Sequence, residues 1–219
     1  MVNTIPEDED LTAAQQVALA HSPADVARML APVFALDRRC ARIVGGTSEP
    51  ALSQIRLAWW RERLAEPVSV RPKGDAVLDS LSRWSGLEAG LIAMVEAWEM
   101  LLADQLSPVE VAEYCEGRAA PVRQWCHAAG LDAHAGDAAA CISLWSCADL
   151  AAHLGEGEEK RTVVASGKAR PSPMLLPKRL RGIAILGELG RRALLRGGDV
   201  PMSTRGDALA VLRMSLLGR

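Results

Sequence analysis

The stretch Ser22-Pro23-Ala24-Asp25-Val26-Ala27-Arg28-Met29-Leu30-Ala31-Pro32-Val33-Phe34-Ala35-Leu36-Asp37-Arg38-Arg39-Cys40-Ala41-Arg42-Ile43-Val44-Gly45-Gly46 decides the fold class. Val26, Met29, Leu30, Val33, Leu36, Cys40 and Ile43 recur in steps of three and four, which places them on one face of a helix. Ser22-Pro23 reads as a cap followed by proline in the first turn, and Gly45-Gly46 as the stop. Pro32 is a candidate kink.

The same periodicity continues on either side. Leu11 to Ala20 forms a short helix. Ser48 to Glu66 forms another, with Leu52, Ile55, Trp59 and Leu64 expected to face inward and Arg56, Arg61, Glu62 and Arg63 outward. Asp75 to Trp84 is short, and Gly86 to Gln105 is longer. Ser107-Pro108-Val109-Glu110 is a helix start with cap, proline and first-turn acid, opening a helix to about Ala129. Gly130 to Gly136 is a break before a hydrophobic helix from Asp137 to Leu154. Residues 155–173 are expected to be a mobile loop, because they hold Gly-Glu-Gly-Glu-Glu-Lys-Arg and two prolines. Leu180 to Leu195 and Thr204 to Leu217 close the chain as helices. Nothing alternates with period two. About eight helices with short connectors predict a single all-α bundle over residues 11–219, preceded by an acidic flexible tail at residues 1–10.

Composition sets the outer bounds. The chain has 219 residues, enough to bury a core without disulfides or metals, and a net charge of −2, which argues against nucleic acid as a partner. Its five cysteines show no C-x-x-C spacing and read as buried free thiols of a reducing cytoplasm. The acidic start fits neither a secretory signal nor a transit peptide, and no apolar run is long enough to span a membrane.

Arg56-Leu57-Ala58-Trp59-Trp60-Arg61-Glu62-Arg63 is the most distinctive string. Adjacent tryptophans differ by about 100° around a helix, so one enters the core and the other lies at its edge or in a contact. Arg56, Trp59, Trp60 and Arg61 are therefore candidates for a protein-partner surface, where Trp and Arg are over-represented.

Together with Leu36 to Val44 and Ser48-Glu49-Pro50, the string Gln54 to Leu64 resembles the early part of the squalene/phytoene synthase family. The branch it is most similar to includes a mitochondrial complex I assembly factor. Glu96-Ala97-Trp98-Glu99-Met100, Tyr114-Cys115-Glu116-Gly117-Arg118-Ala119-Ala120-Pro121-Val122 and Leu175-Leu176-Pro177 extend the resemblance over most of the chain. It implies an isoprenoid-synthase-type helical fold. It also implies a chemistry in which paired Asp-x-x-x-Asp motifs on opposing helices hold Mg²⁺ against an allylic diphosphate.

The first such motif aligns with Ala41 to Gly45, which holds no carboxylate. The second aligns with Ala148 to Leu154, which keeps Asp149 and has His153 one turn on. Tyr114 matches the family tyrosine, and Arg123 stands where a small cavity-facing residue is expected. The resemblance thus implies a member without both metal motifs and without a cofactor. Such a member would act by binding a protein, in assembly of a respiratory complex, in the cytoplasm or at the inner face of the inner membrane. One alternative is a Mg²⁺-dependent prenyl-diphosphate transferase using Tyr114 and Asp149, with Glu96, Glu99 and His153 lining its cavity. The other is a carrier of an isoprenoid or lipid.

Overall fold

The computed structural model describes residues 11–46, 49–103, 106–171 and 175–217. The acidic tail and the helix start at Ser48 lie outside them. Among the described residues there are ten α-helices and two short 3₁₀ turns, and no strand. The helices are α1 Ala13–Ala20, α2 Ala24–Gly45, α3 Pro50–Ala65, α4 Ala76–Ser80, α5 Glu88–Met100, α6 Pro108–Ala128, α7 Asp132–His153, α8 Glu158–Lys168, α9 Arg181–Leu195 and α10 Arg205–Leu217. The all-helical expectation holds, with more helices than the eight read from periodicity.

Local chemistry explains the starts. Thr12 and Gln15 form a reciprocal capping box on α1. At α6 the Glu110 carboxylate accepts the Ser107 N–H and Pro108 takes the first position, as the sequence indicated. α2 begins one residue later than expected: Pro23 is its cap, and the Ser22 hydroxyl donates to Ala18 O instead. α7 begins at Asp132, so the break is only Ala129 to Leu131. The stretch 155–173 is not simply a loop. It carries α8, whose acids Glu158 and Glu159 lie in the first turn and Lys168 in the last, complementing the helix dipole.

α5, α6, α7 and α9 pack in sequence as the central layer, with α2 and α3 against α5 and α1 against α9. One hydrophobic cluster runs from Leu11 to Val211. α7 and α9 approach closely because α9 presents Gly187 and Gly190. A Cβ on Gly190 would lie 2.6 Å from Trp145 Cα.

α3 faces the core differently from the expectation. Ser53, Leu57, Trp60 and Leu64 are buried, whereas Leu52, Ile55 and Trp59 are exposed. The Ser53 hydroxyl donates to Ile43 O at 2.7 Å, which makes a polar residue acceptable on the buried stripe. α10 carries a second exposed stripe of Leu209, Leu212 and Leu216. No helix among the described residues is long and apolar enough to cross a membrane.

Candidate functional site

α2, α6 and α7 each deliver one charged side chain to the same buried point. These are Asp37, Arg118 and Asp149, all nearly inaccessible to solvent. Arg118 Nε and Nη2 donate to the two oxygens of Asp37 at 2.8 and 2.6 Å. Its Nη1 donates to Asp149 Oδ2 at 3.1 Å and to the Tyr114 hydroxyl at 2.9 Å. Asp37 also accepts from Trp98 Nε1 at 2.9 Å and from Gln15 Nε2 at 3.3 Å. The guanidinium lies against three aromatic rings, its carbon 4.4 Å from the Trp145 centroid, 4.9 Å from Trp98 and 5.4 Å from Tyr114.

Such a cluster survives burial only because it is almost fully paired. Burial pulls the Arg118 proton affinity down, but Asp37, Tyr114 and Asp149 outweigh it, so the guanidinium is held well above its ordinary value. Burial pushes the Tyr114 phenol far up, with Asp149 and Asp37 adding to the shift against Arg118. Tyr114 is therefore a neutral hydroxyl that accepts from Arg118.

Beside this cluster opens a cavity of about 390 Å³, its apolar lining including Ala41, Val44, Leu150 and Leu154 and its polar lining Arg38, Tyr114, Asp149, His153 and Glu159. This is within the size range of small-molecule sites. Of the candidates from sequence, Tyr114, Asp149 and His153 come together here. His153 Nδ1 lies 2.7 Å from the Asp149 backbone oxygen, one turn back along α7.

Glu96 and Glu99 do not join them. They sit on the outer side of α5, 4.0 and 3.3 Å from Arg61 of α3. That pairing also occupies Arg61, one of the residues expected on a partner surface. Arg123 points away from the cavity and pairs with Glu116 at the surface. Trp60 is buried and stacks edge-on with the exposed Trp59 at 5.2 Å, so the tryptophan pair divides as the helix angle requires. Around Trp59, a shallow groove is lined by Arg39, Ile43, Ile55, Arg56 and Trp60.

Sequence reasoning missed Asp37 and Arg118. Alignment on Ala41 to Gly45 skipped the acid one turn earlier. Arg118 stands in the tyrosine string without a role of its own there, although it lies one turn from Tyr114, where side chains meet.

Magnesium prefers an octahedral shell of oxygens. α2 offers Asp37 followed one turn on by Ala41, and α7 offers Asp149 followed by His153, so neither helix holds a carboxylate pair. Both acids are already engaged by Arg118. Among the described residues no three His, Cys, Asp or Glu side chains gather in a way that could hold a metal ion. Mg²⁺ does not fit this site as it stands.

Fold and site define an all-helical protein in which one buried arginine bridges an acid from each of two helices beside a cavity. The squalene/phytoene synthase family model matches residues 15–156, and the chain belongs to that family. Comparisons with curated proteins and with solved structures find no match.

Proposed function

We propose that this chain is a non-catalytic squalene/phytoene-synthase-like protein that acts by binding a protein partner. The observation that carries the proposal is Arg118. A guanidinium sits between Asp37 and Asp149, the buried acids of α2 and α7, and Asp149 lines the cavity. An internal cation satisfies the carboxylates that a metal-dependent ionisation of a diphosphate would need free.

The partner surface is the outer stripe of α3, where Leu52, Ile55 and Trp59 are exposed beside Arg56. An exposed apolar patch with Trp at its centre and Arg beside it has the composition of a binding hot spot. Within this proposal the partner belongs to a respiratory complex under assembly, and the chain works in the cytoplasm or peripherally at the inner face of the membrane. The exposed leucines of α10 are compatible with that location. A second reading, carriage of an isoprenoid or lipid, is favoured by the apolar lining of the 390 Å³ cavity.

The test is incubation with farnesyl or geranylgeranyl diphosphate and Mg²⁺, measuring pyrophosphate. No release is expected from folded protein. Release above a no-protein control, abolished by Asp149→Ala, overturns the non-catalytic reading.

A further inference from the structure

All five cysteines are buried, but two of them meet. Cys115 of α6 and Cys147 of α7 place their sulfurs 2.8 Å apart, 32 residues distant in sequence. Neighbouring thiols held side by side on two rigid helices need little movement to bond.

The surroundings supply a cation and a route. Arg170, two residues beyond α8, donates to Glu116 Oε1 at 3.2 Å and to Ala112 O at 3.5 Å, and its guanidinium also reaches the Cys147 sulfur. α8 lies directly over Cys147: a Cβ on Gly167 would come within 3.1 Å of the Cys147 Cβ. That helix buries only Val163 and Gly167, so its anchorage is slight and local opening is inexpensive. The hydrogen bond from Cys115 lowers the Cys147 thiol against the effect of burial, with Arg170 adding to it, while burial raises Cys115. Cys147 is thus the more readily ionised thiol of the pair, and Cys115 the one that keeps its proton.

We propose that Cys115 and Cys147 form a redox-active dithiol that a peroxide converts to a disulfide joining α6 to α7. In the first step the Cys147 thiolate attacks one peroxide oxygen. The O–O bond breaks, the departing oxygen takes a proton and leaves as water or an alcohol, and Cys147 becomes a sulfenic acid. In the second step the Cys115 sulfur attacks the Cys147 sulfur, the S–O bond breaks and water leaves. Two thiols and one peroxide give one disulfide, one water and one water or alcohol. A small-molecule dithiol reverses the change by thiol–disulfide exchange.

The cross-link lies beside the functional site. Cys115 adjoins Tyr114, and Cys147 is two residues before Asp149. Oxidation therefore ties together the two helices that Arg118 already bridges.

The experiment treats the purified full chain with hydrogen peroxide and counts thiols after unfolding in denaturant. Titratable thiols are expected to fall from five to three. The intact mass should drop by about 2 Da and a tryptic peptide pair should link Cys115 to Cys147. A loop of this length should raise Tm by roughly 5–10 °C, reversed by dithiothreitol. Cys115→Ser and Cys147→Ser should each abolish the loss of two thiols. Arg170→Gln, at a partly exposed position, should slow cross-linking several-fold while leaving its end point unchanged. Five thiols remaining after oxidation, a link between other cysteines, or a stable sulfinic acid on Cys147 without a cross-link each overturns the assignment. The wild-type count and peptide map decide the matter even where a serine variant fails to fold.

Discussion

Replacing Arg118 with methionine tests the central claim that this guanidinium is the cation of the site. Methionine keeps much of the volume and removes the charge. Asp37 would lose two charge-assisted hydrogen bonds, at 2.8 and 2.6 Å, and Asp149 one at 3.1 Å. Both carboxylates would remain buried, with Trp98 and Gln15 as partial partners for Asp37 only. Breaking a buried pair from one side costs about 3–5 kcal/mol. For a domain of this size that lowers Tm by roughly 6–20 °C.

Thermal melts of wild type and Arg118→Met at neutral pH measure this loss. Adding Asp37→Asn and Asp149→Asn to the variant should restore part of the stability, because the unpaired charges are gone. A Tm within 2 °C of wild type, or no recovery in the triple variant, would refute the reasoning.

Three further outcomes follow from burial and pairing. Trp60→Ala should cost about 3–5 kcal/mol, because that side chain is core. Trp59→Ala should change stability by less than about 1 kcal/mol, because its ring is partly exposed, yet weaken capture of a partner in cross-linking. Asp207 is inaccessible and accepts from Arg192 at 2.9 Å, from Arg196 at 3.0 and 2.9 Å and from Thr204 N at 3.2 Å, clamping α10 onto α9. Burial raises its pKa, but those hydrogen bonds outweigh it and hold it low. Its stabilisation is therefore present above about pH 4 and lost as pH falls through the depressed value. Asp207→Asn should cost about 1–3 kcal/mol at pH 7, a penalty that shrinks in acid melts.

The helices and most of their ends were legible because caps, prolines and apolar spacing act locally. α3 shows where that logic stops. Its sequence carries two interleaved apolar stripes, Leu52/Ile55/Trp59 and Leu57/Trp60/Leu64, which hydrophobicity alone does not rank. The second is buried, with Leu64 the one residue of the expected face on it, and Ser53 is accommodated there because it donates to Ile43 O on another helix. α8 was hidden by its polarity, although its charges follow the dipole. The site was half legible. Tyr114, Asp149 and His153 were marked by the resemblance, but Asp37 and Arg118 are 81 residues apart and neither belongs to a motif that announces the other.

Under the proposed non-catalytic role, the position of Arg118 weighs more than the absence of any single aspartate. Loss of one ligand from a metal site leaves carboxylates that another cation could fill. A guanidinium gripped by both acids and enclosed by Trp145, Trp98 and Tyr114 competes with any ion for the same oxygens, at an effective concentration no free ion matches. The same arrangement ties α2, α6 and α7 together. Under the proposed binding role, that bridge holds the bundle and its surfaces in place with residues of this chain alone.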